Sequence, residues 1–156
     1  MREEQPDVLE MLIKHELALK QLYEVFAAAF MNRQDFWQTL AADEQGHAHR
    51  LGKLRSEPTI DNWLLHDSGL KLQAITSSIG YVESQIVRAR EGRLSLLQAL
   101  SIAKDLEDAL IEKQFSRLGD SVCVEIRSIL MDLAAETEGH RKALAEALDT
   151  EKQLRS

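Results

Sequence analysis

The stretch LAADEQGHAHRL, from Leu40 to Leu51, aligns without a gap with LAAETEGHRKAL, from Leu133 to Leu144. Leu, Ala, Ala, Gly, His and the final Leu coincide. Each copy is also preceded by a glutamate, 31 residues before the first shared histidine and 33 before the second. This repetition indicates a duplicated pair of helices.

The composition favours helices throughout the 156 residues. The chain has 24 Leu and 17 Ala against 20 Val, Ile and Thr together, with only 7 Gly and 2 Pro. Leu and Ala are strong helix formers, whereas β-branched residues favour strands. The length suits one domain, predicted to span residues 1–156. The sequence therefore predicts an all-α class.

Apolar residues at helical spacing predict the segments of this domain. The two long N-terminal helices are expected at 8–31 and 36–55, a shorter helix at 75–92, and two further helices at 95–118 and 121–148, with 150–156 frayed. The sequence predicts capping boxes at Asp7 with Glu10, Asp35 with Gln38 and Ser95 with Gln98. Two hairpins joined by a long crossover that contains the short helix fit a ferritin-like four-helix bundle.

Charge and cysteine content exclude several classes of protein. The net charge of −7, with no basic run, argues against nucleic-acid binding. The longest apolar stretch, Val25 to Met31, is far shorter than the ~20 residues that cross a membrane. The start, MREEQPD, does not resemble a signal peptide, so a cytoplasmic location is expected. Because Cys123 is the only cysteine, the chain alone cannot form a disulfide or a rubredoxin centre.

Polar residues interrupt the apolar stripe of each predicted bundle helix. Glu16 lies between Leu12 and Leu19 in the first, and Glu107 lies in the stripe of the third. A buried carboxylate must be paired, protonated or bound to a cation, and these stripes contain no Lys or Arg. Glu44 and His47 place two donors on one helix face, as expected for a divalent cation held by oxygen and nitrogen.

The sequence resembles the rubrerythrin-like branch of the ferritin-like superfamily. The resemblance is carried by Glu16 seven residues before Tyr23, by FWQTLAADEQGHAHRL (36–51), and by IAKDLEDALIEKQF (102–115) leading to AAETEGHRKAL. It covers about two thirds of the chain. It implies a two-metal centre, most simply of iron with manganese or zinc as alternatives, whose ligands are Glu16, Glu44, His47, Glu107 and His140.

Thr137 departs from this resemblance, since the family pattern has a second bridging Glu there. A hydroxyl is a poor substitute for a carboxylate, so the second metal position is incomplete. Glu136 could reach inward only if the helix were rotated or overwound. His15, His49 and His66 fall off the inward stripes and are interpreted as surface or connector residues, and Tyr23 as a packing residue able to hydrogen-bond a ligand.

Two classes of function follow. One is a ferritin-like metal protein, in its enzymatic form a non-haem di-iron oxidase or peroxidase supplied with electrons by a separate donor protein. The other is a helical scaffold or interaction protein that kept the fold with an incomplete site. A third hypothesis is that the chain binds a single structural zinc or manganese ion. The family resemblance also suggests a homodimer.

Overall fold

The computed structural model describes residues 8–57, 71–109 and 124–155, which form helices and contain no strand. The all-α class is thus confirmed for this part of the chain. The helices are α1 (Val8–Ala29), α2 (Gln34–Lys53), α3 (Leu72–Arg90), α4 (Leu96–Asp108) and α5 (Val124–Arg155). Short 3₁₀ turns follow α1 at Met31–Arg33 and α2 at Leu54–Ser56.

The helix ends show which of the predicted caps form. Ser95 and Gln98 make the full capping box of α4, each side chain bonding the other's backbone N–H. Asp35 is not a cap, because α2 already begins at Gln34, whose N–H bonds the carbonyl of Met31 in the preceding 3₁₀ turn. The proposed cap at Asp7 lies outside the described residues.

Two other predicted ends differ from the structure. The first helix stops at Ala29 rather than at residue 31, because Phe30 leaves the helical region with φ −122° and ψ 76°. The last helix does not fray after residue 148 but continues to Arg155, whose guanidinium pairs with Glu151 at 2.9 Å. α4 ends at Asp108, and residues 110–123 lie outside the described part.

The crossover helix α3 ends as predicted around Gly92. This glycine has φ +70°, a left-handed conformation that is costly for residues with a Cβ. Its N–H bonds the carbonyl of Ala89, and the next N–H, of Arg93, reaches back to Arg88. These bonds satisfy carbonyls that the helix end would otherwise leave free.

Two apolar clusters lie along the helices, with a polar layer between them. α1 packs against both α2 and α3, and α4 packs against α5. One cluster includes Tyr23, Phe26 and Trp37, and the other includes Leu12 and Leu51. The buried polar residues occupy intermediate positions along α1, α2 and α5. Apolar packing above and below therefore fixes the side chains of this layer.

None of the helices in residues 8–57, 71–109 and 124–155 is long and apolar enough to cross a bilayer.

Candidate metal centre

The structure brings all five predicted ligand residues into the buried polar layer. α1 contributes Glu16, α2 contributes Glu44 and His47, α4 contributes Glu107, and α5 contributes His140. Their exposed fractions run from 0% to 6%. Residues separated by as many as 124 positions thus lie close together, because each of the four helices turns the face that carries them toward the interior.

These residues form two groups that share one carboxylate. Glu16, Glu44 and His47 make the first group, and Glu44, Glu107 and His140 make the second. Within each group one donor atom from every residue lies within 4.8 Å of the others. Glu44 is therefore placed to bridge two cations.

The distances around the two imidazoles are compatible both with hydrogen bonds and with donors that share an ion. Nδ1 of His47 lies 3.2 Å from Glu44 and 3.6 Å from Glu16. Nδ1 of His140 lies 3.2 Å from Glu44 and 3.4 Å from Glu107. Donors that each lie about 2.1 Å from one ion are separated from one another by about 3 to 3.5 Å. The imidazole–carboxylate distances are at or close to this range, and all donor atoms of each group lie within 4.8 Å of one another.

Several buried polar atoms of this layer make no hydrogen bond to any residue that the structure describes. They include one oxygen each of Glu16, Glu44 and Glu107, together with the hydroxyl of Thr137. Each unsatisfied buried polar group costs about 1 to 3 kcal/mol, and more when it is charged. Folding tolerates such a cluster where a bound cation or a proton offsets the cost. The donor set, carboxylate oxygens with imidazole nitrogens, fits a divalent metal.

In the metal-free protein the pKa values of Glu44 and His140 are both shifted toward the protonated form. Burial, and then the charge of Glu107, raises the pKa of Glu44. Burial alone would lower the pKa of His140, but its contacts with Glu107 and Glu44 outweigh burial and raise that pKa to about 11. Protonated His140 therefore partly neutralises the carboxylates, and a metal would have to displace this proton.

Tyr23 supports the second group from α1. Its hydroxyl donates a hydrogen bond to Oε1 of Glu107 at 2.7 Å. Burial, followed by the charges of Glu107 and Glu44, raises the pKa of Tyr23 well above its usual value, so the phenol keeps its proton. The same ring packs on Trp37 at 5.7 Å between centroids. Tyr23 is thus both a packing residue and a hydrogen-bond donor to a candidate ligand.

The outer nitrogens of the two histidines face acids that the sequence pattern does not identify. Nε2 of His140 donates to Asp43 at 3.0 Å, and Nε2 of His47 lies 3.8 Å from Glu136. Asp43 and Glu136 are equivalent in the repeat, so each copy supplies an acid to the other copy's histidine. A carboxylate that accepts a hydrogen bond from the outer nitrogen orients an imidazole and makes it a better metal ligand, which applies to Asp43 and His140, whereas Glu136 at 3.8 Å is too far to bond His47.

Glu136 and Thr137 occupy the positions that their spacing from His140 dictates. Thr137 is buried, at 1% exposed, so its hydroxyl faces the interior. Glu136 is 35% exposed in its side chain and pairs with Arg50 on α2. No local rotation of α5 brings Glu136 inward, and that hypothesis is not needed. The one place where the ligand pattern is incomplete is therefore a buried position.

His15 corrects the sequence interpretation, since it is buried rather than on the surface. It is 3% exposed, and its Nε2 lies 2.7 Å from the hydroxyl of Ser78 on α3. Burial lowers the pKa of His15 to about 4, so the ring is neutral at pH 7. The crossover helix covers a second side of α1, which a single inward stripe does not predict. His49 is exposed as predicted, and His66 lies outside the described residues.

In its described residues the chain is all-helical, and it contains two adjoining Glu/His groups. No protein-family model matches the chain, and comparisons with curated proteins and with solved structures found no match either. The site itself is therefore the basis for a proposed function.

Proposed function

We propose that this protein binds two divalent metal ions within a ferritin-like four-helix arrangement. The observation that carries the proposal is that Glu44 belongs to both Glu/His groups, with an imidazole on either side of it at 3.2 Å. In this arrangement α1 pairs with α2, α4 pairs with α5, and α3 lies in the crossover. The first ion binds Glu16, Glu44 and His47, and the second binds Glu44, Glu107 and His140.

Iron is the metal that we propose, with manganese or zinc as alternatives that the donor set also accepts. Bound iron would supply redox chemistry with oxygen or peroxide, its electrons coming from an external donor protein. The residues of the chain hold the ligands in place, with Tyr23 on Glu107 and Asp43 on His140. The apolar clusters on both sides of the layer limit the access of water.

The total charge and the location of Thr137 bear on how tightly the two ions are held. Three buried carboxylates, Glu16, Glu44 and Glu107, face two divalent ions, which leaves one positive charge in excess. The second position lacks the carboxylate that Thr137 replaces. We therefore expect the first position to bind its ion more tightly than the second.

Metal titration tests the proposal. Protein freed of metal by chelator is titrated with ferrous ion under anaerobic conditions, and separately with manganous ion, and bound metal is measured by elemental analysis. We expect between one and two equivalents per chain. Retention of no metal under either condition contradicts the proposal.

The alternative function is a helical scaffold that kept the fold and lost metal chemistry. Thr137 favours it, because a buried threonine hydroxyl, which bonds no residue in the described part of the chain, replaces an expected ligand. The two functions differ in bound metal, so the titration above also separates them.

Substituting Thr137→Glu is expected to tighten the second metal more than the first. Position 137 stands to His140 as Glu44 stands to His47, so the new carboxylate faces the same site. In metal-free protein the same change should lower the free energy of unfolding, because it adds a buried negative charge. Calorimetric titration with manganous ion and melting curves of the metal-free protein measure the two opposite effects.

The matched control is Ala135→Glu, which adds the same charge at an exposed position of α5. It should change neither quantity appreciably. An unchanged affinity for the second ion in Thr137→Glu would show that position 137 does not contribute to the site.

A further inference from the structure

A groove between α2 and α5 opens directly beside the candidate metal centre. It encloses about 550 Å³, within the range of about 300 to 1,000 Å³ typical of small-molecule sites. Phe36 and Leu40 of α2 and Ala143 of α5 form apolar walls, and the buried His140 also lines the groove. The groove is thus separate from the ligand atoms but shares one residue with them.

His140 connects the groove to the centre. Its Nδ1 faces Glu44 and Glu107, while its Nε2 donates to Asp43, which also lines the groove. A molecule in the groove would therefore contact the imidazole or its acid partner. Such contact would alter the surroundings of the second metal position, because His140 is one of its candidate ligands.

The charges of the groove indicate which molecules it accepts. Its ionisable lining residues besides His140 are all acidic, namely Asp35, Asp43 and Glu136. Glu136 is compensated by Arg50, and Asp43 bonds His140, but Asp35 brings a further negative charge to the rim. An anionic molecule such as a fatty acid would meet repulsion there. A cation would be attracted to Asp35, but Phe36, Leu40 and Ala143 would offer its charge no partner inside the groove. The apolar walls therefore favour an uncharged molecule with little polar surface.

Gly139 keeps the groove open from the side of α5. This residue lines it, and a Cβ added there would meet no atom within 4 Å. Its φ is not positive, so the helix backbone itself does not require glycine. Glycine inside a helix costs about 1 kcal/mol relative to alanine. The absence of a side chain at position 139 thus leaves space beside His140.

We propose that this groove binds an uncharged, mainly apolar organic molecule and presents it to the second metal position as the substrate. The role as substrate rests on the proposed metal-binding function, whereas the binding itself depends only on the groove. Indole is a suitable probe because it is neutral, flat and small enough to pack against Phe36.

The experiment measures indole binding by amide chemical shifts of ¹⁵N-labelled protein. In wild type we expect shifts centred on Gly139 and His140 that saturate with indole concentration, and at least tenfold weaker binding of the anion indole-3-acetate. Gly139→Leu fills the groove without a backbone clash and should weaken indole binding at least tenfold. Gly46→Leu, the equivalent glycine of the repeat, also has open space but lies outside the groove, and should leave binding unchanged.

A second readout tests the link to the metal. Cobalt(II) is added to the protein, and indole is expected to change its visible absorption through His140. Cobalt binding without any indole binding overturns the groove proposal alone. Indole binding without any cobalt binding overturns the proposed function, and with it the role as substrate.

Other occupants of the groove would also be detected. Equal binding of indole to wild type and Gly139→Leu would place the probe elsewhere and contradict the proposal. A wild-type dimer that Gly139→Leu dissociates, measured by sedimentation, would show that a second copy covers the groove and would likewise overturn it.

Discussion

Replacing Glu44 with alanine is expected to abolish tight binding at both metal positions. Glu44 belongs to both Glu/His groups, so its loss removes one ligand from each ion. Loss of a supporting residue around a metal ligand already costs about 10- to 100-fold in affinity. We expect at least that loss at both positions, whereas Glu16→Ala should weaken mainly the first and Glu107→Ala mainly the second. Elemental analysis after ferrous loading measures the difference.

Two further variants separate loss of a ligand from loss of the fold. Glu44→Gln keeps the size of the side chain and removes a carboxylate whose pKa is raised by burial, while Glu107 remains to pair with His140. The metal-free protein should therefore be at least as stable as wild type. Glu83→Ala removes an exposed glutamate of α3 and should leave metal content unchanged. A Glu44→Gln protein that folds and still binds two ions would show that Glu44 is not a shared ligand.

Removing the metal is expected to lower the melting temperature by roughly 5 to 10 °C at pH 7. A ligand present at 100 times its Kd stabilises the folded state by about 2.7 kcal/mol, and each kcal/mol moves the melting point of a domain of this size by about 2 to 4 °C. The physical cause is the repulsion among Glu16, Glu44 and Glu107 in a buried layer. Differential scanning calorimetry of loaded and metal-free protein measures the gap.

The difference in melting temperature between loaded and metal-free protein should be smaller at pH 5 than at pH 7. The pKa of Glu44 is raised in the folded metal-free protein, so this form holds a proton that the unfolded chain has released, and its stability falls as pH rises above the ordinary carboxyl range. The raised pKa of His140 acts in the same direction, beginning near pH 6.5. Lowering the pH therefore reduces the carboxylate repulsion that destabilises the metal-free protein. It also weakens metal binding, because protons compete for the same ligands.

His15 has the opposite pH dependence, but it does not affect this comparison. Its pKa is lowered to about 4, so the unfolded chain takes up the proton first and acid destabilises the fold between about pH 6.5 and 4. This loss of stability occurs equally in loaded and metal-free protein, so it does not change the difference between their melting temperatures. Equal melting temperatures for the two forms at pH 7 would count against a buried metal site.

Much of the candidate site could be predicted because helical spacing is a local property of the sequence. Glu16, Glu44, His47, Glu107 and His140 each interrupt an apolar stripe, and a stripe on a helix faces the interior wherever the helix packs. Ser95 with Gln98 also specified its helix start locally, since the capping box involves only neighbouring residues. The position of Thr137 followed from the same periodicity.

The tertiary structure decided the features that depend on which helices are neighbours. His15 is buried because α3 covers a second side of α1, and no spacing within α1 reports that packing. The partners of the two imidazoles, Asp43 and Glu136, face across from α2 to α5 and back, so neither helix alone reveals them. The groove beside His140 likewise exists only between two helices. The sequence determined which faces turn inward, whereas the packing of the helices determined what each face meets, because contacts between distant segments depend on the relative placement of whole helices.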